Sequence, residues 1–376
     1  MTRPLSTLCL LLAATSTQAE IAVERLAPIA DRVAESLAAG EFAGCVVAIG
    51  TGDGVAYLEA FGNRQVVPEH HAMTTDTVFD MASLTKPVAT ATSIMVLVER
   101  GQVRLRDSIN KYLPEIDGAH GEQITVESLL THQSGYVPDN SIKDYQHGVD
   151  EAWRRLFGLT PQHPPGSRFQ YSDVNFELLG KIVERAGGKP LNEFARDEVY
   201  RPLGMTETGY LPPAELAARA AASEPRDGKM LVGEVHDPRA ALLDGVAGHA
   251  GLFSTAEDLA LYARMMLHGG ELNGVRVLGA ATVAEMTRPR NVPGDQLRAA
   301  GWDMASGYSS NRGETMTPRA FGHGGFTGTA MWIDPGLDLY VIFLSNRLHP
   351  DGKGNANETA GRVGAIAAGA VVGAIE

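Results

Sequence analysis

The stretch "FDMASLTKPVATATS", residues 79–93, decides how the rest of this chain is read. Ser83 stands three residues before Lys86, and Pro87 follows directly in front of an apolar helical run. Proline fits a helix only in its first turn, so the helix must begin almost at Ser83. Lys86 then lies on the same face as Ser83, one turn later. The backbone N–H of Ser83 is left free at the positive end of the helix, where it can bind an oxyanion.

A lysine beside Val, Ala, Ile and Leu needs a reason, because burying it is costly unless its charge or a lowered pKa is used. The pattern therefore favours Ser83 as a nucleophile and Lys86 as its activator. A capping serine followed by a lysine that reaches for solvent explains the same residues equally well. The motif needs partners elsewhere in the chain.

The composition is that of a globular protein whose net negative charge disfavours binding of polyanions. Of 376 residues, 44% are hydrophobic and 20% are charged, so a large core is expected. The formal net charge is −13. No basic patch accompanies it, and the resulting field repels phosphate backbones, so we expect no nucleic-acid partner.

The first residues are typical of an export signal. Residues 1–19 carry Arg3, then an apolar run that is too short to span a bilayer, then small residues ending at Ala19. We interpret 1–19 as a signal peptide and 20–376 as a mature, exported domain, periplasmic or secreted, without a transmembrane segment. Cys45 is then the only cysteine left, so no internal disulfide forms.

Strand patterns lie near both ends of the chain and helical patterns lie between them. Hairpins are predicted around "CVVAIG"–"VAYLEAF" and over residues 327–346. This order predicts an α/β (α+β) fold, with an antiparallel sheet built from both termini, flanked by helices, and a helical insertion. The predicted sheet part is 20–81 plus 318–376, and the helical part is 82–317.

Two further motifs offer partners for Ser83. Tyr171 stands two residues before Asp173 at the start of an amphipathic helix, and beside Lys86 it would be partly ionised and act as a general base. Taken alone, this stretch favours a tyrosine that packs its ring beside a capping Ser172. The loop "FGHGGFTGT" leads directly into a strand. Its glycines, Gly324 and Gly325, allow close substrate approach, and Phe326 offers a backbone N–H for an oxyanion.

Two histidines compete for a place in this third motif. His323 precedes the two glycines and the strand, whereas His249, in "AGHAGLFSTAED", precedes a capped helix. We therefore assign His323 to the substrate site and His249 to the cleft wall. The G-x-S-x-G elbow of α/β-hydrolases is absent from the sequence.

The set S-x-x-K, Y-x-D and H-G-G, in this order, resembles the serine β-lactamase and penicillin-recognising family. The similarity is to its class C-like branch, which includes D-Ala-D-Ala carboxypeptidases, D-aminopeptidases and esterases, and "LLTHQSGY" and "GVAGHAGLFSTAEDLA" extend it over most of the chain. The resemblance implies an acyl-enzyme on Ser83, activated by Lys86, with Tyr171 as base. It also implies an oxyanion hole formed by the N–H groups of Ser83 and Phe326.

Two positions depart from the β-lactamase pattern. Asp173 replaces an Asn, and His323 replaces a Lys that would attract the carboxylate of a β-lactam. The favoured hypothesis is thus an exported serine acyl-hydrolase acting on small esters or on D-amino-acid amides or peptides. A class C-type β-lactamase and a recognition protein without turnover remain alternatives. No metal-ligand spacing is present, so we expect neither a metal nor a cofactor.

Overall fold

The fold is described from a computed structural model that covers residues 19–116 and 118–373. The predicted signal peptide, 1–19, lies outside the described residues except for Ala19. Within the described part of the chain, no helix combines the length and the apolar character needed to cross a membrane.

An antiparallel sheet forms the centre of the molecule. Within the described residues it has nine strands, which in chain order are β1 Gly44–Thr51, β2 Gly54–Gln65, β3 His71–Ala72, β4 Arg290–Val292, β5 Gln296–Arg298, β6 Asp303–Ala305, β7 Phe321–Gly325, β8 Thr329–Asp334 and β9 Leu339–Ser345. In space their order is β4-β5-β6-β7-β8-β9-β1-β2-β3, and every neighbouring pair is antiparallel. Strand β9 from the C-terminal half pairs with β1 from the N-terminal half. This confirms the prediction of a sheet built from both ends.

The sheet is wider than the sequence predicted. Strands β4, β5 and β6 lie in the range assigned to the helical part, yet they extend the sheet beyond β7. Each has only three residues, which is too short for an alternating pattern to stand out from a loop. These strands bring Arg298, at the end of β5, close to the third motif.

The residues that the structure describes form seven helices of eight residues or more. They are α1 Pro28–Ala38, α2 Thr92–Glu99, α3 Val149–Phe157, α4 Asp173–Gly187, α5 Ala256–Leu267, α6 Ala280–Thr287 and α7 Asn357–Ala370. All of them except α3 lie in stretches where the sequence predicts a helix; α3 lies in a range that the sequence indicates is a loop. The flanking helices and the inserted helical region match the predicted architecture.

Strand β1 shows how the sheet divides the core. Successive side chains of a strand point to opposite faces. Val46 and Ala48 pack into the large cluster under the helical region, whereas Val47 and Ile49 pack into the cluster covered by α1 and α7. The central strands of the sheet are therefore buried on both faces.

Short elements complete the chain. Short helices span Val23–Leu26, Ala82–Leu84, Lys86–Ala91, Ile109–Lys111, Gly118–Gln123, Val126–Leu130, Ile142–Asp144, Leu191–Ala195, Arg196–Tyr200, Arg201–Leu203, Ala214–Ala217, Pro238–Leu242 and Ser309–Asn311. Short strands span Glu20–Ile21, Phe79–Asp80, Gly209–Tyr210, Pro225–Arg226, Lys229–Met230, Leu252–Ser254, Glu271–Leu272, Val275–Arg276 and Val371–Val372.

The helix that follows Ser83 begins where Pro87 requires, but its first turns are irregular. A 3₁₀ turn covers Ala82–Leu84, a π-helical segment covers Lys86–Ala91, and regular α2 starts only at Thr92. Pro87 has no N–H to donate to the preceding turn, so regular i to i−4 bonding cannot begin there. The wider π turn is a common feature of functional sites.

Candidate active site

Lys86 lies at the centre of the site and is completely buried. Its Nζ donates to Ser83 Oγ at 2.9 Å and to the His249 carbonyl at 3.0 Å, and it forms an ion pair with Asp173 Oδ1 at 2.6 Å. Burial lowers the pKa of Lys86, but Asp173 and then Tyr171 raise it, and the net pKa is above the ordinary value. Lys86 is therefore an ammonium ion at neutral pH. Its use to the site is its charge.

The turn that carries Ser83 is held in place from both sides. Ala82 has a φ of 44°, a conformation that residues with a Cβ rarely adopt, and its N–H donates to Asp80 Oδ1 at 2.8 Å. On the other side, the hydroxyl of Thr327 donates to the Asp80 carbonyl at 2.7 Å, and that of Thr329 donates to the Met81 carbonyl at 3.1 Å. The β7–β8 hairpin thus fixes the backbone on which Ser83 is presented.

Tyr171 lies between two other rings. Its ring stacks on His132 at a centroid distance of 4.4 Å and on Tyr308 at 4.8 Å. Lys86 Nζ lies 5.0 Å from the same ring. The tyrosine is thereby fixed beside Ser83 and Lys86, as its place in the sequence motif predicts.

The ionisation of Tyr171 differs from the expectation. Burial raises the pKa of its hydroxyl, Lys86 lowers it, Asp173 raises it, and hydrogen bonds with Ser83 and Lys86 lower it. The net pKa lies above the ordinary value, so the expected partial ionisation at neutral pH is wrong. The sequence-based prediction included the effect of Lys86 on the pKa of Tyr171. It could not include the effects of burial and of Asp173, which raise that pKa.

Asp173 is paired with Lys86, a contact that sequence reasoning missed. It is the first residue of α4, and its N–H donates to the Pro138 carbonyl at 2.8 Å. A carboxylate in the first turn of a helix is favoured by the helix dipole. Asp173 lines the cavity beside Ser83, and its contact is with the lysine. Its role in binding substrate stays a prediction.

The third motif lies on β7, directly against the turn of Ser83. A Cβ added to Gly325 would lie 2.5 Å from the Met81 carbonyl oxygen, and one added to Gly324 would lie 2.3 Å from Asn311 Nδ2. Gly325 is therefore required by close packing against the backbone, whereas a side chain at Gly324 would meet the Asn311 side chain. The structure brings this motif together with Ser83, as predicted.

His323 is buried and neutral. Its Nδ1 lies 2.7 Å from the Gly324 carbonyl, so Nδ1 carries the proton and donates it. Burial, Arg298 and Lys86 all lower the pKa of His323 well below its ordinary value. Phe326, two residues beyond Gly324, has a side chain that is 61% exposed and lies between the His236 ring and the Arg347 guanidinium.

His249 was assigned to the cleft wall, and it lines the cavity while also holding Lys86 through its carbonyl. Its buried ring lies 3.0 Å from Asp237 Oδ1 and 3.5 Å from Glu177 Oε1. Burial lowers the pKa of His249, but Asp237 and Glu177 raise it, to about 9. The loop "AGHAG", residues 247–251, thus also holds Lys86 in place, through the His249 carbonyl. The spacing of the motifs alone does not reveal this contact.

Two cavities meet at Ser83 and Tyr171. The larger, about 680 Å³, is also lined by Asp173 and His249. The smaller, about 390 Å³, is also lined by His323. A substrate bound across Ser83 can place one part in each cavity.

Among the described residues, one group of side chains has the donor atoms for a metal ion. Asp173, Asp237 and His249 offer atoms within 4.8 Å of one another. Lys86 already neutralises Asp173, and the His249 ring is already paired with Asp237. A metal ion bound here would have to compete with these two ion pairs.

Comparison with known proteins places this geometry in a family. The Beta-lactamase family model matches residues 29–365. An N-acetylmuramyl-L-alanine amidase from Bacillus subtilis is 31% identical, over 88% of this chain and 83% of that protein. A putative D-alanyl-D-alanine carboxypeptidase from Escherichia coli is 33% identical, over 73% of this chain and 70% of that protein.

A solved structure shares the fold. A penicillin-binding protein homologue from Caulobacter crescentus has a TM-score of 0.75 and 23% identity, and the match covers 94% of this chain and all of that one. The names of the two sequence relatives are those of hydrolases. With the family model spanning nearly the whole described chain, the protein belongs to the Beta-lactamase family of serine hydrolases and penicillin-binding-like proteins.

Proposed function

We propose that this protein is an exported serine acyl-hydrolase that forms an acyl-enzyme on Ser83. Its substrates are small esters or D-amino-acid amides and peptides of the kind released from cell walls. The observation that carries the proposal is the contact of Ser83 Oγ with Lys86 Nζ at 2.9 Å, beside the hydroxyl of Tyr171 and at the junction of two cavities. A nucleophile, a cation and a proton acceptor within hydrogen-bond reach are the parts that acyl transfer requires.

The proposed reaction uses Tyr171 as the proton carrier. Ser83 Oγ attacks the carbonyl carbon as its proton passes to the Tyr171 phenolate. The backbone N–H groups of Ser83 and Phe326 bind the oxyanion. When the intermediate collapses, the leaving amine or alcohol takes the proton from Tyr171, and a water molecule then releases the acyl group by the same route.

Lys86 remains an ammonium ion throughout this sequence. Its charge stabilises the phenolate, and its Nζ donates a hydrogen bond to Ser83 Oγ. Because the pKa of Tyr171 is raised, the phenolate is a minor species at neutral pH. The proposed enzyme therefore works faster as the pH rises towards the pKa of this tyrosine.

The relatives support substrates with an acyl–nitrogen bond. The names of the Bacillus subtilis and Escherichia coli proteins describe an amidase of a muramyl–alanine bond and a carboxypeptidase of D-alanyl-D-alanine. The first matches the larger share of this chain, which favours the amide between a cell-wall sugar and its peptide as a second candidate substrate. Hydrolysis of β-lactams as the main task is less favoured, because His323 is neutral where a lysine would attract the carboxylate.

The test is the time course of a short-chain p-nitrophenyl ester with purified residues 20–376. We expect a burst followed by steady turnover in the wild type and neither in Ser83→Ala. Ser93→Ala is the matched control, because Ser93 is a buried serine on α2, in the same helical run. Equal rates in the wild type and Ser83→Ala, with all three proteins folded, would contradict the acyl-enzyme and favour a recognition protein without turnover.

A further inference from the structure

His132, in the loop that follows the short helix Val126–Leu130, has a backbone conformation that residues with a Cβ rarely adopt. Its φ is 57°, although it is not a glycine, and the residue is only 1% exposed. Residues held in such conformations persist because the surrounding structure fixes them, and they cluster at active sites. This position therefore needs a reason beyond core packing.

Three contacts of His132 fall on residues 170–172, the segment that carries the proposed base. The His132 carbonyl accepts the N–H of Gln170 at 3.0 Å, and its Nδ1 accepts the N–H of Ser172 at 3.0 Å. Its ring stacks on the Tyr171 ring with a centroid distance of 4.4 Å and an interplanar angle of 29°. One residue thus holds the backbone on both sides of Tyr171 and also the tyrosine ring.

The second ring that stacks on Tyr171 is held less firmly. It belongs to Tyr308, which is 52% exposed, and exposed side chains change rotamer rapidly. His132, in contrast, is buried, and its ring also packs against Phe176 on α4, at a centroid distance of 5.2 Å. The fixed wall beside the Tyr171 ring is therefore His132.

The hydrogen bond from Ser172 requires a neutral His132. Because Nδ1 accepts this bond, it carries no proton, and the proton of the neutral ring is on Nε2. Nε2 is buried and has no hydrogen-bond partner among the described residues. Burial lowers the pKa of His132 well below its ordinary value, and the charges of Arg298 and Lys86 lower it further. The ring thus remains an acceptor at neutral pH.

We propose that His132 is a positioning residue that holds the Tyr171 hydroxyl against Ser83 and Lys86. The hydroxyl must stay within hydrogen-bond reach of Ser83 to carry its proton, and a displacement of about 1 Å is enough to slow such a step about 100-fold. A rotation of the Tyr171 ring or a shift of its backbone breaks at least one of the three contacts with His132. This inference rests on the proposed acyl-hydrolase function and gives the motif "LLTHQSGY" a role in it.

The first test is the burst of a short-chain p-nitrophenyl ester in two variants of His132. His132→Gly removes the ring with its Nδ1, and glycine adopts a φ of 57° without strain. We expect the rate constant of the burst to fall about 100-fold, while the dissociation constant of the ester before acylation stays unchanged.

His132→Asn is the conservative variant. Asparagine also tolerates this φ, and its side-chain oxygen can accept the N–H of Ser172 in place of Nδ1. Only the stacked ring is then lost, so the burst should recover to within about tenfold of the wild-type rate. A burst as slow as in His132→Gly would overturn the proposal, and this variant decides the question alone if His132→Gly does not fold.

His349→Ala is the matched control. His349 is another buried histidine, and its Nε2 accepts the N–H of Val66 at 2.8 Å. Its loss also opens a cavity and frees a backbone N–H, but among the described residues its ring makes no contact with Tyr171. This variant should lose stability and keep the wild-type burst. An equally slow burst in His349→Ala, or a wild-type burst in His132→Gly, would overturn the positioning role.

Amide hydrogen exchange tests the same contacts without turnover. The peptide that contains residues 170–172 should exchange faster in His132→Gly than in the wild type, and close to the wild-type rate in His132→Asn and His349→Ala. This pattern in a wild type that hydrolyses no ester would refute the proposed function and still support His132 as the residue that holds Tyr171. Equal exchange in the wild type and His132→Gly overturns the positioning role, whatever the ester assay shows.

Discussion

Asp173→Asn should shift the pH dependence of ester hydrolysis to lower pH. Asp173 raises the pKa of both Tyr171 and Lys86. Its negative charge therefore opposes deprotonation of Tyr171, which must lose its proton before it can act as the proposed base. Removing this charge lowers both pKa values. Tyr171 and Lys86 titrate as a coupled pair, so the rise of kcat/KM with pH (its rising limb) reflects both groups. Lowering either pKa moves this rise to lower pH.

The size of the shift follows from the distances. Lys86 Nζ lies 2.6 Å from Asp173 Oδ1 and 5.0 Å from the centre of the Tyr171 ring, so the carboxylate lies within roughly 8 Å of the ring. A unit charge at that range contributes about 1 kcal/mol, between the values for water and for a protein surface. This corresponds to a shift of about one pH unit.

The assay is kcat/KM for a short-chain ester by pH-stat titration, across the neutral and alkaline range. The maximum rate should also fall, because Lys86 loses its ion pair. Asp139→Asn is the control, since Asp139 lines the same cavity but is paired with Arg239. A limb that stays in place in Asp173→Asn, or moves to higher pH, refutes the assignment of this limb to Tyr171 and Lys86.

Gly325→Ala should reduce kcat/KM by about 100-fold and stability much less, because the new Cβ presses on the Met81 carbonyl next to Ser83. Ester kinetics and thermal unfolding measure the two effects separately. Equal losses of kcat/KM and of stability would mean that the effect is purely structural. The protein should lose roughly 3 kcal/mol of unfolding free energy as pH rises from 6.5 through about 9, since the raised pKa of His249 stabilises the fold only while the ring is protonated. Urea unfolding at several pH values checks this, and His249→Gln should abolish the dependence; a variant that retains it points to another group. Added chelator should leave ester turnover of the wild type unchanged, and an activity lost with chelator and restored by zinc would revive a metal at Asp173, Asp237 and His249.

The sequence predicted much of the site because its motifs are short and local. Ser83 and Lys86 lie within one turn, and Pro87 fixes where the helix can start, so their contact follows from helix geometry. Tyr171 was recognised from its place between a Pro/Gly turn and an amphipathic helix. The structure brings all three together.

The rest of the site depends on distances across the fold. The His249 carbonyl reaches Lys86 from a loop more than a hundred residues away. Arg298 lies on a three-residue strand that no pattern singles out. The sequence shows this arginine only as part of "QLRAAGWD". Its burial, and the lack of a hydrogen bond to any described residue, become visible only in the structure.

The sequence by itself determined the order of the motifs, the sheet built from both ends and the start of the helix at Ser83. These features follow from backbone rules and hydrophobic periods that act over a few residues. Only the tertiary structure decided the charge states: Lys86 stays an ammonium ion because Asp173 is close, and Tyr171 stays a phenol because it is buried beside that carboxylate. A pKa is set by burial and by charges within a few ångströms, and residues distant in the chain supply both.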